Sequence, residues 1–108
     1  MTYEVFLTEK AQRDLIDIYE YIADNDSPEA ADYVYENIDT VIQSLCDLPH
    51  RGVCPKEFLE RGVTDFRELF FKPYRIIYEV EGSAVYVYLV ADGRRNMSAL
   101  LQRRLLAE

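Results

Sequence analysis

The sequence is poor in the residues on which many catalytic and metal sites depend. Its 108 residues include one histidine, two cysteines, four glycines and no tryptophan. A nucleophile that histidine activates needs that histidine beside it, and His50 lies in a loop with proline and glycine that offers no such partner. Glycine-rich phosphate loops, the His-Glu-x-x-His motif and calcium loops are also missing from the sequence. We therefore expect no cofactor and no histidine-activated nucleophile.

The two cysteines leave three interpretations open. Cys46 and Cys54 flank His50 in the spacing Cys-x3-His-x3-Cys, but a structural zinc site usually has four ligands and no fourth is evident nearby. A disulfide is the second interpretation and a pair of reduced thiols is the third. We favour reduced thiols, because cytoplasmic proteins rarely form disulfides.

Long hydrophobic runs are missing as well. No apolar run approaches the roughly 18 residues of a membrane span, and the polar start Met-Thr-Tyr-Glu does not resemble a signal peptide. Hydrophobic residues make up 49% of the chain, with nine tyrosines and five phenylalanines, which favours a folded protein with its own core. We expect one cytoplasmic domain over residues 1–108, without a membrane partner.

Positive charge is scarce in the first half of the chain. Residues 1–47 carry 12 acidic and 2 basic residues and so a net charge of −10, whereas residues 48–108 carry 8 acidic and 10 basic residues and so +2. Affinity for nucleic acid comes largely from Lys and Arg that neutralise phosphates. We therefore expect no direct DNA binding by the chain as a whole, although its second half offers a basic patch.

A short strand over Tyr3–Leu7 and a helical hairpin are predicted first. Thr8 and the pair Ser27-Pro28 are typical helix starts. The apolar stripes of the two helices are Ala11, Leu15, Ile18 and Ile22, and then Ala31, Val34, Ile38, Val41, Ile42 and Leu45. An acidic row on the first helix is predicted to be a solvated face, with partner binding as the alternative: Asp14, Asp17, Glu20 and Asp24.

Three consecutive antiparallel strands are predicted between Arg67 and Arg95, because branched and aromatic residues dominate there. Turns fall at Lys72-Pro73 and at Glu81-Gly82-Ser83. Strict alternation gives one face Tyr74, Ile76, Tyr78 and Val80 and the other Arg75, Ile77, Glu79 and Glu81; in the last strand it separates Val85, Val87 and Leu89 from Tyr86, Tyr88 and Val90. Both faces are partly apolar, so we expect helices to cover one face and a partner to cover the other.

The whole pattern predicts an α+β fold of order β-α-α-β-β-β-(α), with the helical hairpin packed on one face of an antiparallel sheet. The connection before the sheet contains a helical turn near 57–60, and a terminal helix is predicted over 97–106. Six arginines stand out in this half: Arg67, Arg75, Arg94, Arg95, Arg103 and Arg104. They either pair with acids of this chain or form a patch for an acidic partner or phosphate.

Six segments, in order and over nearly the whole chain, carry a resemblance to a known family. They are Ala11–Ile22 (AQRDLIDIYEYI), Ser27–Ala31 (SPEAA), Leu45–Gly52 (LCDLPHRG), Phe66–Leu69 (FREL), Pro73–Tyr78 (PYRIIY) and Asp92–Arg95 (DGRR). In this combination the chain resembles the RelE/ParE superfamily of toxin–antitoxin toxins, and most of all its ParE, or plasmid stabilisation, branch. The resemblance implies a small toxin that a co-encoded antitoxin neutralises by laying a helix or strand on an apolar surface. The antitoxin also brings the DNA-binding part of such complexes.

The superfamily divides by target, so the resemblance leaves the activity open. ParE-like members inhibit DNA gyrase, whereas RelE-like members are endoribonucleases that cut mRNA in the ribosome, usually with a tyrosine near the C-terminus. Arg67, Arg75 and Arg95 match family arginines and would surround the phosphate of a nuclease, but Met97–Leu101 contains no tyrosine. Arginine stays protonated and is a poor general acid or base. We therefore expect a gyrase inhibitor rather than an enzyme, with the mRNA interferase as the alternative and a toxin that has lost its activity as the third hypothesis.

Two sets of contact residues are predicted from this resemblance. For the target we predict Arg94, Arg95, Arg103 and Arg104. For the antitoxin we predict Arg67, Arg75, Ile77, Tyr86 and Tyr88.

Overall fold

The computed structural model describes residues 2–106. The elements are β1 Glu4–Leu7, α1 Glu9–Asn25, α2 Pro28–Gln43, α3 Lys56–Leu59, β2 Arg67–Phe71, β3 Tyr74–Glu81, β4 Ala84–Asp92 and α4 Met97–Leu101, with 3-10 turns at Ser44–Cys46 and Pro49–Arg51. The chain continues from α4 as a π-helical segment, Gln102–Leu106. The predicted α+β order is confirmed. No helix within the described residues is long and apolar enough to cross a membrane.

Both predicted helix starts are confirmed by their capping hydrogen bonds. The Thr8 hydroxyl accepts the Ala11 N–H at 3.1 Å, and the Ser27 hydroxyl accepts the Ala30 N–H at 3.0 Å. Each cap satisfies an N–H that the first helical turn leaves without a backbone partner. Pro28 occupies the first position of α2, where its missing N–H costs nothing.

The sheet has the order β1-β4-β3-β2 and is antiparallel except at one edge. The meander of β2, β3 and β4 is antiparallel as predicted, but β1 pairs in parallel with the first half of β4, Glu4 opposite Ala84 and Leu7 opposite Val87. Beyond Val87, β1 has ended and β4 continues to Asp92. Within residues 2–106, the second half of β4 therefore has no strand beside it on the β1 side.

A β-bulge in β4 overturns part of the predicted alternation. Ile77 pairs with Leu89 and Tyr78 pairs with Val87, so Tyr88 is an extra residue without a partner on β3. An extra residue reverses the pattern of faces over the remainder of the strand. Val85, Val87 and Val90 consequently share one face, and Leu89 lies on the other; the prediction that grouped Leu89 with Val85 and Val87 was wrong.

Each face of the sheet carries its own hydrophobic cluster. The hairpin face, covered by α1 and α2, holds Ala11, Leu15, Ile38, Ile42, Leu45, Ile76, Tyr78, Val85, Val87 and Val90. The terminal face, covered by α3 and α4, holds Phe58, Ile77, Leu89, Ala91, Met97, Leu100 and Leu101. The chain itself thus covers much of the face that we had left to a partner, because Met97 and the leucines of α4 supply the necessary apolar stripe.

Candidate interaction surfaces

Arg67 and Tyr78 hold the loop that comes after α2. The Arg67 guanidinium donates to the carbonyls of His50 and Gly52 at 2.9 and 2.8 Å. The buried Tyr78 hydroxyl donates to the Pro49 carbonyl at 2.6 Å and accepts the Gly52 N–H at 3.0 Å. A Cβ at Gly52 would collide with this hydroxyl. Arg67 from the segment Phe66–Leu69 and Gly52 from the segment Leu45–Gly52 therefore take part in the same set of internal hydrogen bonds.

Arg75 is also committed to internal partners. Its guanidinium donates to both carboxylate oxygens of Glu57 at 2.8 and 2.9 Å and to Glu68 at 2.7 Å. The hydrogen bond from Arg75 lowers the pKa of Glu57, whereas burial raises the pKa of Glu68. A Cβ at Gly93 would approach the Arg75 Cδ to 2.9 Å. Glycine in the Asp92–Arg95 turn therefore leaves room for the arginine to reach its carboxylates.

Three of the four arginines predicted for the target lie at the surface. Arg94 lies two residues beyond the end of β4 and has 77% of its side chain exposed, and its guanidinium donates to both oxygens of the Asp92 carboxylate. That contact lowers the pKa of Asp92. Arg95 is exposed in the same turn, and Arg103 is exposed in the π-helical segment. We call Arg94, Arg95 and Arg103 the basic surface.

Arg104, the fourth arginine, is largely buried and contacts Asp14, which we had predicted to be solvated. Its guanidinium donates to both oxygens of Asp14 at 3.0 Å and to the Tyr88 carbonyl at 3.0 Å. The two side chains are only 14% and 15% exposed. The prediction of a solvated face is confirmed for Asp17, Glu20 and Asp24, which are exposed. It is wrong for Asp14. Direct target contact by Arg104 does not fit its burial.

The residues predicted for the antitoxin are spread over different environments. Ile77 is fully buried within the hydrophobic cluster of the terminal face, and Arg67 and Arg75 hold internal contacts, so these three do not offer a free surface. Tyr86 is partly exposed and stacks on Phe6 with the ring centroids 5.5 Å apart. Tyr88 is partly exposed, and its hydroxyl donates to Glu79 at 3.2 Å.

An apolar groove that the sequence analysis did not identify lies between β1, α1 and α2. We call it the hairpin groove; its volume is about 550 Å³, and its lining is Leu7, Gln12, Leu15, Ile16, Tyr19, Glu20, Asp32 and Tyr35. Ile16 and Tyr35 are 44% and 43% exposed. The Tyr19 hydroxyl donates to Asp32 at 2.5 Å across the two helices, and this hydrogen bond raises the pKa of Tyr19. The groove thus combines an apolar floor with acidic edges.

The cysteine–histidine spacing does not produce a ligand cluster. Cys46 and Cys54 are both free thiols, and Cys54 donates to the Val63 carbonyl at 3.3 Å. His50 is exposed, with its ring 6.1 Å from that of Tyr3. Among residues 2–106, no three side chains of His, Cys, Asp or Glu gather as metal ligands would.

Sequence comparison now decides the family. The profile described as "ParE toxin of type II toxin-antitoxin system, parDE" matches residues 5–97, which include both helices of the hairpin and all of β2, β3 and β4. The chain belongs to this ParE toxin family. Toxin ParE3 of Caulobacter vibrioides is 25% identical over 100 residues, which cover 93% of this chain and 96% of that toxin.

Solved structures agree with the ParE-family fold. A chain of the chromosomal ParDE toxin–antitoxin system from P. aeruginosa superposes with a TM-score of 0.70 at 20% identity, over 84% of this chain and 96% of that one. A chain of the RelBE2 toxin–antitoxin complex of Mycobacterium tuberculosis gives 0.59 at 20% identity, covering 85% and 92%. A mutant of the E. coli toxin RelE in the free state gives 0.64 at 17% identity, covering 97% and 100%. These similarities establish the RelE/ParE-like fold.

Proposed function

We propose that this ParE-family toxin inhibits DNA gyrase by direct contact and that a cognate antitoxin neutralises it. The observation that carries the proposal is the basic surface. Arg94, Arg95 and Arg103 are exposed at the end of an otherwise acidic chain, and guanidinium groups bind carboxylates and phosphates bidentately. Such a surface suits recognition of an acidic protein surface or of gyrase-bound DNA and needs no proton-transfer group.

The environment of the arginines favours binding over catalysis. An mRNA interferase would need Arg67, Arg75 and Arg95 around one phosphate. Arg67 instead donates to loop carbonyls and Arg75 is held between two carboxylates, while Arg95 lies in an exposed turn. Moving Arg75 toward a phosphate would leave Glu57 and Glu68 without their buried partner, at a cost typical of a broken buried ion pair. Contact inhibition requires no such rearrangement.

For the antitoxin we propose the edge of the sheet at β1. The hairpin groove lies on one side of this strand, and the stacked rings of Phe6 and Tyr86 lie on the other. A partner segment that wraps β1 would bury apolar area on both sides, and Tyr86 keeps its predicted role. The ParDE and RelBE2 structures come from toxin–antitoxin systems, which supports an antitoxin partner here.

Purified gyrase tests the target. We expect the wild-type chain to abolish supercoiling or to accumulate cleaved DNA while ribosome-programmed mRNA stays intact. The double variant Arg94→Ala/Arg95→Ala should lose this activity, whereas Arg13→Ala, an exposed arginine on acidic α1, serves as the control that removes positive charge elsewhere. Cut mRNA with unaffected gyrase would replace the proposal by the endoribonuclease alternative.

Titration calorimetry with the cognate antitoxin tests the β1 surface. Ile16→Asp introduces a charge into the hairpin groove and should weaken binding at least about tenfold, which corresponds to about 1.4 kcal/mol. Leu59→Asp is the matched control, because Leu59 is also exposed but lies in α3, away from β1. Equal affinities for the two variants would remove the groove from the antitoxin surface.

A further inference from the structure

In the second half of β4, two side chains form hydrogen bonds with the edge of the strand where β1 no longer pairs with it. β1 pairs with β4 only as far as Val87. Beyond it, the Tyr88 carbonyl accepts from Arg104 and the Val90 N–H donates to Asp14, both at 3.0 Å. An exposed strand edge is a template for unwanted pairing unless its peptide groups are occupied. Asp14 and Arg104 occupy two of these groups and pair with each other; we call the arrangement the clasp.

The clasp joins the two layers that cover opposite faces of the sheet. Asp14 belongs to α1 on the hairpin face, and Arg104 belongs to the segment that continues α4 on the terminal face. Their bidentate contact passes around the edge of β4. A paired, largely buried carboxylate and guanidinium fix geometry in a way that an exposed ion pair does not. The position of the C-terminal segment is therefore set by α1 as well as by the apolar contacts of α4.

The clasp also adjoins the basic surface. A second groove, of about 500 Å³, runs between α1 and the end of β4; Asp14 lies in it together with Arg94 and Arg95. The other charged groups that line it are Asp17 and Asp92. In the C-terminal segment, Arg103 is exposed next to the inward Arg104. The clasp is thus next to Arg94 and Arg95 in this groove and next to Arg103 along the chain.

We propose that Asp14 and Arg104 are positioning residues: by clasping the C-terminal segment to α1 and β4, they hold the basic surface in the arrangement that meets the target. This inference rests on the proposed role of the basic surface, but not on the identity of the target. The clasp lies on the opposite half of β4 from β1, so antitoxin binding at β1 should not depend on it.

Hydrogen exchange of the full-length chain tests the clasp in the absence of any partner. In Asp14→Ala, we expect the Val90 amide and the amides of residues 97–106 to exchange at least about tenfold faster, which corresponds to about 1.4 kcal/mol of local protection. Arg104→Ala should expose the same C-terminal amides, and the double variant should add little to either single variant. Asp17→Ala, one turn along α1 and exposed, is the control that removes the same charge. Unchanged exchange, or equal loss of protection in α2 and β3, would overturn the clasp as a local device.

A second measurement separates positioning from simple structural support. When toxin expression is raised stepwise, both clasp variants should need a markedly higher toxin level than wild type to arrest growth. Their affinity for the antitoxin should stay within about twofold of wild type, or about 0.4 kcal/mol. Asp14→Glu, which keeps the charge, should recover part of the toxicity. Full toxicity in the clasp variants, or a parallel loss of antitoxin affinity, would contradict the positioning role. Growth arrest without gyrase inhibition by the wild-type chain would refute only the proposed target.

Discussion

Replacing Tyr78 by phenylalanine should destabilise the protein far more than the loss of one oxygen atom suggests. The side chain is fully buried, and its hydroxyl serves the Pro49 carbonyl and the Gly52 N–H. Burial also raises the pKa of this hydroxyl. Phenylalanine would preserve the packing but leave two backbone groups without a partner. Each such buried group costs about 1–3 kcal/mol, so for the two groups we expect a loss of about 2–6 kcal/mol.

Urea denaturation measures this loss, and thermal unfolding provides a second readout. For a domain of this size, about 1 kcal/mol corresponds to roughly 4 °C, so the melting temperature should fall by about 8–24 °C. Tyr88→Phe is the matched control, because its hydroxyl makes one 3.2 Å bond to Glu79 at a partly exposed site; we expect a loss below about 1 kcal/mol. If the two variants were equally stable, the proposed bracing of the Leu45–Gly52 segment would be wrong.

Four further stability measurements concern the contacts of Arg75 and the hydrophobic core. Glu57 has a pKa below its ordinary value of 4.5. The carboxylate's contribution to the free energy of unfolding is therefore complete above that pH and is lost as the pH falls below it. Glu57→Gln should accordingly lower the free energy of unfolding more at neutral pH than at acid pH. Burial raises the pKa of Glu68, so Glu68→Gln should show the opposite trend in urea unfolding, becoming less costly as the pH rises. Gly93→Ala places a Cβ against Arg75 and should cost about 1–3 kcal/mol in the same assay. Leu100→Ala, at a site only 3% exposed, should cost about 2–4 kcal/mol, while Leu59→Ala, 59% exposed, should cost little.

The parts of the fold that depend on local chemistry could be predicted from the sequence. Thr8 and Ser27 cap helices with hydrogen bonds that span three residues, and the turns before Tyr74 and after Glu81 are set by proline and glycine. Such signals are readable without knowledge of the rest of the molecule. They were sufficient for the element order and for most of the hairpin-face core.

The features that were missed depend on contacts between distant residues. Asp14 carries the same charge as Asp17, three residues on, and only its proximity to Val90 and Arg104 distinguishes it. The burial of Ile77 depends on where α4 docks, and the parallel pairing of β1 depends on the path of the whole hairpin. For the basic surface, exposure separates Arg94 and Arg95 from Arg67 and Arg75, although all four are arginines near the sheet. Residue type therefore identified these four arginines as candidates, and only the tertiary structure separated the exposed ones from those with internal partners.

The bulge at Tyr88 has a consequence for the length of β4. Removing Tyr88 would restore a regular strand and still leave Val87 on the hairpin face and Leu89 on the terminal face, whereas removing an earlier residue such as Tyr86 would turn Val87 to the other side. A β4 shorter by this one residue could therefore build both hydrophobic clusters, yet Arg104 would lose the carbonyl that it binds. The number of residues in the strand, more than their hydrophobic pattern, then determines whether Arg104 binds β4 in addition to Asp14 of the first helix.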